Sequence, residues 1–211
     1  MRFTLSSTAL SSKLFALAKV ISNKNSLPIL ADFMFRTEGN TLFITASDSE
    51  NSMTTTIELS DSDIDDSFAI ENHSLLEAVK SFPEQPLTFE ADKNDKIVKI
   101  IYQNGQFSLP IETADVYPVA AKIADIAVSI QLSSALLSEN ISRCLCATAQ
   151  DELRPVMYGV FFDITPEYLT IVSTDGHKLV RNRIYDIKND VAASLILAKK
   201  PATILKNMLA K

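Results

Sequence analysis

Apolar and polar residues change rhythm several times along this chain, and each change marks an element. Phe3 and Leu5 alternate with polar neighbours, the period-two signature of a strand. Leu10, Leu14, Leu17, Ala18 and Ile21 then recur at three- and four-residue intervals, which predicts a helix. Pro28 closes that region, and Ile29 to Thr37, Thr41 to Ser47 and Ser52 to Leu59 read as strands separated by Glu38-Gly39-Asn40 and a turn at Asp48 to Asn51. The scheme recurs with a strand at Ser67 to Ile70, a helix at Ser74 to Phe82, and strands at Leu87 to Ala91, Lys96 to Tyr102 and Gln106 to Ile111. Asn104-Gly105 supplies a hairpin signal between the last two. The expected domain is therefore α+β, a pair of strand-helix-three-strand units.

Sliding the sequence against itself by 127 residues aligns 3–57 with 130–184 without a gap and gives eleven identical pairs in 55 positions. They include Leu5/Leu132, Ser6/Ser133, Ser7/Ser134, Leu10/Leu137, Pro28/Pro155, Phe35/Phe162, Ile44/Ile171 and Asp48/Asp175. Apolar positions that are not identical also correspond, such as Phe3/Ile130, Leu14/Ile141 and Phe33/Val160, so one core pattern is written twice. The second copy continues with a strand at Ser194 to Leu197 and a helix at Pro201 to Leu209, and three strands of the scheme are not found before Lys211. The expected organisation is a first domain over 1–118, a linker over 119–127 and a second, incomplete domain over 128–211, with no third copy.

Composition narrows the class. With 211 residues of which 46% are hydrophobic, the chain can bury two cores of about 100 residues each. No apolar run approaches the ~20 residues of a membrane span, and Met1-Arg2-Phe3-Thr4 lacks the zones of a signal peptide, so a cytoplasmic protein with no membrane partner is expected. Cys144 and Cys146, two apart on a helix, point about 200° away from each other, and no CxxC or HExxH spacing occurs, so neither a metal nor another cofactor is expected.

The net charge of −6 is segregated rather than spread. The predicted helices, taken as 6–24, 73–82, 133–147 and 199–211, carry nine Lys or Arg against Glu77 and Glu139 and sum to +7, leaving −13 for strands and loops such as Asp61 to Asp66. Basic helices beside acidic turns give one positive wall, which suits contact with a phosphate backbone without base reading. Equally, basic residues on a helix are ordinary solvated positions. On its residues alone the segment Thr174-Asp175-Gly176-His177 admits two readings: an acid/base pair serving an enzyme or ligand-binding protein, or a plain turn in which Gly176 supplies an unusual backbone angle. No nucleophile motif accompanies it, which weakens the enzymatic reading.

Several segments together carry a resemblance: Met1-Arg2-Phe3-Thr4, Ser26-Leu27-Pro28-Ile29-Leu30, Ile44-Thr45-Ala46-Ser47-Asp48, Ala114-Asp115-Val116-Tyr117-Pro118, and above all Arg154-Pro155-Val156-Met157-Tyr158-Gly159-Val160 and Thr174-Asp175-Gly176-His177-Lys178-Leu179. In these the chain resembles the N-terminal part of bacterial sliding clamps, the beta subunits of DNA polymerase III. The resemblance covers the whole chain. It implies a non-catalytic processivity factor, a homodimeric ring when full length, with sheets outside and helices lining the hole. Its partners would be double-stranded DNA, the DNA polymerase III catalytic subunit, the clamp loader, and other polymerases and repair proteins that dock through a short peptide motif. Matched residue by residue, it places DNA contacts at Lys24, His73, Lys80, Gln150 and Arg154, and a peptide pocket at Met157, Thr174, Gly176, His177, Lys178 and Leu179, the rest of the pocket lying beyond Lys211. Two departures stand out: Lys178 where the family often has arginine, and Pro155-Val156 where some clamps carry aromatic residues.

Overall fold

The structure, a computed structural model, describes residues 1–22, 25, 27–118, 123–124 and 127–209. It falls into two compact units, Met1–Ala121 and Lys122–Lys211.

Unit 1 opens with β1 (Arg2–Ser6) and α1 (Ser7–Leu17), followed by β2 (Asp32–Glu38), β3 (Thr41–Ser47) and β4 (Ser52–Glu58). A two-residue β5 (Asp61–Ser62) precedes β6 (Ser67–Glu71), α2 (Asn72–Lys80), β7 (Pro86–Asp92), β8 (Ile97–Tyr102) and β9 (Gly105–Thr113). The strands run in the order β4-β3-β2-β6-β9-β8-β7-β1-β5, all antiparallel. Each half-unit lends its leading strand to the other: β1 pairs with β7, the first strand after α2, and β6 pairs with β2, the first strand after α1. β9 joins the two sheet halves, with Gly105 to Pro110 against β8 and Ile111 to Thr113 against β6. Five fully buried phenylalanines, Phe3, Phe33, Phe35, Phe68 and Phe89, form the centre of the core. Phe3 stacks on Phe89 with ring centres 5.0 Å apart, and Phe35 lies 5.3 Å from Phe68 across the β2–β6 pair. Leu10, Leu14 and Leu17 of α1, with Leu75 and Val79 of α2, cover this core.

Unit 2 contains α3 (Ser134–Leu145), β10 (Gly159–Ile164), β11 (Leu169–Thr174), β12 (Leu179–Ile184), β13 (Ala193–Ala198) and α4 (Lys199–Leu209). Its sheet runs β12-β11-β10-β13, and Ile141, Cys144, Val160, Phe162, Ile164, Leu169, Ile171 and Ala202 make the buried cluster beneath α3 and α4. Cys144 packs there as an ordinary core residue while Cys146 is exposed. The 127-residue offset holds structurally well beyond residue 184: β13 and α4 occupy the positions of β6 and α2. The helix starts are repeated in detail. Ser6 Oγ accepts from Ala9 N at 3.2 Å and Ser133 Oγ accepts from Leu136 N at 3.3 Å, the same N-cap in both copies.

The structure departs from the pattern-based expectation in four places. Residues 130–132 are not a strand. Their counterpart β1 is held by β7, and the counterpart of β7 would follow α4, outside this sequence. A strand is a paired object, so the apolar alternation alone does not form one. The first helix stops at Leu17 rather than running on to Ile21, because Val20 N donates to Leu17 O at 2.9 Å in a tighter turn that buries Val20. Pro28–Ala31 is a 3₁₀ turn, with Pro28 at its first position and Leu30 N donating to Leu27 O at 3.1 Å. The second helix begins two residues early, since the Glu71 carboxylate accepts from His73 N at 3.0 Å and Ser74 N at 2.7 Å and caps it.

Candidate functional site

The turn between β11 and β12 is built around Asp175. Its Oδ1 accepts from His177 N at 3.0 Å and Lys178 N at 2.9 Å, and Oδ2 lies 3.3 Å from the Lys178 ammonium. Thr174 Oγ1 donates to Lys178 O at 2.8 Å and accepts from Gly176 N at 3.1 Å, while Gly176 sits at φ +90°, where glycine carries no steric penalty. The backbone N–H groups of Lys178 and His177, helped by the Lys178 ammonium, pull the Asp175 carboxyl down to about 2. Among the described residues no hydrogen bond joins Asp175 to the His177 ring, so the geometry is a turn and not an acid/base pair. The same turn exists in unit 1. Asp48 Oδ1 accepts from Glu50 N at 3.1 Å and Asn51 N at 2.7 Å, and Ser49, the counterpart of Gly176, takes φ +78°.

Met157 is half-buried two residues ahead of β10, with its N–H donating to Arg154 O and its carbonyl accepting from Ala149 N, both at 2.9 Å. Because β10 and β11 are antiparallel, the start of β10 and the end of β11 lie at one end of the sheet. Met157 and the turn over Thr174, Gly176, His177, Lys178 and Leu179 are thus brought to the same end. Leu179 is 65% exposed there, as are Leu153 and Val156 at 88% and 72%. Leu153 and Val156 lie on an irregular loop without periodicity, so no pattern in the sequence singled them out as an exposed apolar pair.

The residues expected to meet a phosphate backbone form two groups. In unit 1, His73 and Lys80 sit exposed at opposite ends of α2, with His73 Nδ1 3.7 Å from Glu77 Oε1. Lys24 falls outside the described residues, but Ser22, Asn25 and Leu27 on either side of it line a cleft of about 390 Å³ with Asn72 and His73. In unit 2, Gln150 and Arg154 are exposed on the loop that ends at Tyr158. Lys199, at the start of α4, pins that loop: its ammonium donates to Gln150 Oε1 at 2.8 Å and Ala149 O at 3.2 Å, and lies 5.6 Å from the Tyr158 ring centre. Lys199 entered the sequence reading only as a unit of charge, since its approach to Gln150 depends on tertiary packing. The helices are shorter than expected, so Lys19 lies past the end of α1, and Lys211 with Lys24 is outside the described residues. Within the four helices Lys13, Lys80, Arg143, Lys199, Lys200 and Lys206 remain against Glu77 and Glu139, and Arg143 pairs with Glu139. Among the described residues no cluster of His, Cys, Asp and Glu could hold a metal ion, and no helix is long and apolar enough to cross a membrane.

Two successive α+β units, each with antiparallel strands on one side and a helix pair on the other, place the chain in the class of repeated clamp-type folds. Residues 1–121 match the family described as DNA polymerase III beta subunit, N-terminal domain, and residues 131–211 match its central domain. The chain belongs to the DNA polymerase III beta-subunit family. It is 29% identical over 181 residues to the beta sliding clamp of Halalkalibacterium halodurans, an alignment covering 82% of this chain and 47% of that protein. Its fold superposes on the DNA polymerase III subunit beta of Pseudomonas aeruginosa with a TM-score of 0.90 at 22% identity, covering 100% of this chain and 57% of the other. A Helicobacter pylori beta clamp bound to a DNA ligase peptide matches with a TM-score of 0.88 at 19% identity, covering 99% and 59%. The chain spans about half the length of the curated relatives it matches.

Proposed function

We propose that this chain is part of a sliding clamp, a non-catalytic processivity factor that in its full-length form closes as a homodimeric ring around duplex DNA and tethers the replicative polymerase. The observation that carries this reading is the order of the match: N-terminal and central clamp domains follow one another along the chain, each on its own compact unit. His73 and Lys80 on α2, Gln150 and Arg154 on the loop before β10, and Lys24 are assigned to contact with the DNA backbone. Lys80 and Arg154 are exposed cations with no carboxylate partner among the described residues, as a sliding, sequence-independent contact requires. Met157, Thr174, Gly176, His177, Lys178 and Leu179 are assigned to a pocket for a short peptide from the DNA polymerase III catalytic subunit, the clamp loader, other polymerases or repair proteins, all in the cytoplasm. The exposed Leu179 beside a pre-organised turn supports this, because apolar anchors supply most of the energy in such grooves. The peptide held by the Helicobacter pylori clamp points the same way. Asp175 and His177 then shape the pocket wall, and the alternative of an enzyme or ligand-binding protein using them as a pair is not favoured.

The test uses the full-length protein and its clamp loader on a nicked circular DNA. The expected result is retention on the circle that is lost when the circle is cut, since linkage would be topological. Equal retention before and after cutting, or none on either, contradicts the proposal.

A further inference from the structure

Unit 1 holds a second cleft, of about 460 Å³, lined by Leu27, Pro28, Ile29, Asp32, Glu112 and Val116. Two of its apolar residues are strongly exposed, Leu27 at 47% and Val116 at 63%. Two carboxylates line it, Asp32 on β2 and Glu112 on β9, and a third on the same face of the sheet, Glu71 on β6, pairs with Asp32 across the strands. Glu71 and Glu112 have partners, the former capping α2 and the latter 3.2 Å from the Lys96 ammonium. The Asp32 carboxylate has no hydrogen bond among the described residues. Its partial burial, with the charges of Glu71 and Glu112 beside it, pushes its pKa up to about 6.

The unit fold does not demand an acid here. The repeat-equivalent position in unit 2 is Gly159, where a Cβ would come within 2.7 Å of both Ile196 Cγ2 and Leu197 O. Unit 1 thus carries a half-buried acid beside an open cleft at a position where unit 2 has no room for a side chain. A half-buried carboxylate repelled by two others, with apolar walls above it, is complementary to a side chain that is aliphatic along its stem and cationic at its tip. The volume lies within the ~300–1,000 Å³ typical of binding clefts.

We propose that this cleft binds a protein segment that inserts one arginine or lysine, its stem against Leu27, Ile29 and Val116 and its charged head between Asp32 and Glu112. The site is on unit 1 and does not depend on the peptide pocket assigned to unit 2. The segment's charge would replace the repulsion that Asp32 now meets with a charge-assisted hydrogen bond, so binding and ionisation of Asp32 favour each other.

The probes are acetyl-Leu-Arg-Leu amide and the same peptide with citrulline, which keeps the shape of arginine and removes its charge. Each is titrated into the isotope-labelled protein at pH 7.5, reading the backbone amides of Leu27, Ile29 and Val116. Saturable shifts are expected with the arginine peptide, with affinity at least about ten-fold weaker for citrulline and about ten-fold weaker for Asp32→Asn, whose amide spectrum away from the cleft should be unchanged. Because the citrulline comparison uses the unaltered protein, it stands even if Asp32→Asn disturbs folding. No saturable shift with the arginine peptide, or equal affinity for the two peptides, overturns the proposal.

Discussion

The two units follow one design and differ in the leading segment, and the difference shows what holds such a unit together. In unit 1 the leading strand β1 lies between β5 and β7 and contributes Phe3 and Leu5, both essentially fully buried, to the core. In unit 2 the equivalent segment has the same alternation, yet Ile130 and Leu132 are only partly buried against the cluster and form no strand. The elements that depend on nearby residues, by contrast, are the same in both: the serine N-caps, the helices that follow them, and the Asp48 and Asp175 turns. Local chemistry fixes the caps and turns, whereas the leading strand depends on a partner about 80 residues away in sequence.

The largest expected contrast lies in the core. Phe3→Ala removes a ring stacked on Phe89 and should cost unit 1 about 3–5 kcal/mol. Ile130→Ala at the matching position should cost under about 1 kcal/mol, since little of its contact area is lost. Denaturant melts of the two variants check this, and equal losses would mean that the segment before α3 is packed as tightly as β1. The next contrast runs the other way. Gly159→Ala places a methyl against Leu197 O, a backbone atom that cannot swing aside, and should cost about 1–3 kcal/mol by overpacking. A neutral Gly159→Ala would show that β10 and β13 are more loosely joined than their spacing indicates.

At that same repeat position in unit 1, the pKa of Asp32 is raised by burial and by Glu71 and Glu112, so its protonated form is the one the fold prefers. The associated stability is present below about pH 4 and is lost as pH rises through about 6. Asp32→Asn, which mimics the protonated acid, should therefore stabilise unit 1 at pH 7 by about 1 kcal/mol, a figure discounted because the side chain is half-exposed. The gain should vanish in melts near pH 4, and a variant less stable at pH 7 would contradict the assignment. The smallest effect belongs to the turns. The Asp175 carboxyl is held down to about 2 by the amides of Lys178 and His177, so the order it gives is present above the ordinary carboxylate range and is lost as pH falls through about 2. Asp175→Ala should speed hydrogen exchange at His177 and Lys178 and leave the Asp48 turn untouched.

How much of this was legible in the sequence divides along the same line. The helices, the hairpins and the Asp175 turn depend on residues close together, and the patterning located them, as self-comparison located the 127-residue repeat; the caps that set the helix starts were not read. The continuation of the repeat through β13 and α4 was hidden, because over 67–80 and 194–207 only Ser67 and Ser194 are identical. The failure of 130–132 to form a strand was hidden for the opposite reason: its pattern is right and its partner is absent from this sequence. At the candidate site the Thr174 to Leu179 turn and the loop around Met157 were readable from their motifs. The Lys199 contact to Gln150 and the grouping of Asp32 with Glu71 and Glu112 were not, since each joins residues that only the fold brings together.

Native-state hydrogen exchange on the 211-residue chain tests most directly the claim that the two units share one design and differ in the pairing of the leading strand. The amides of Phe3 and Leu5, which face β7, should be protected to nearly the global stability of unit 1, and those of Ile130 and Leu132 should exchange at rates close to an unfolded chain, while α1 and α3 are both protected. Equal protection of the two leading segments would contradict the account.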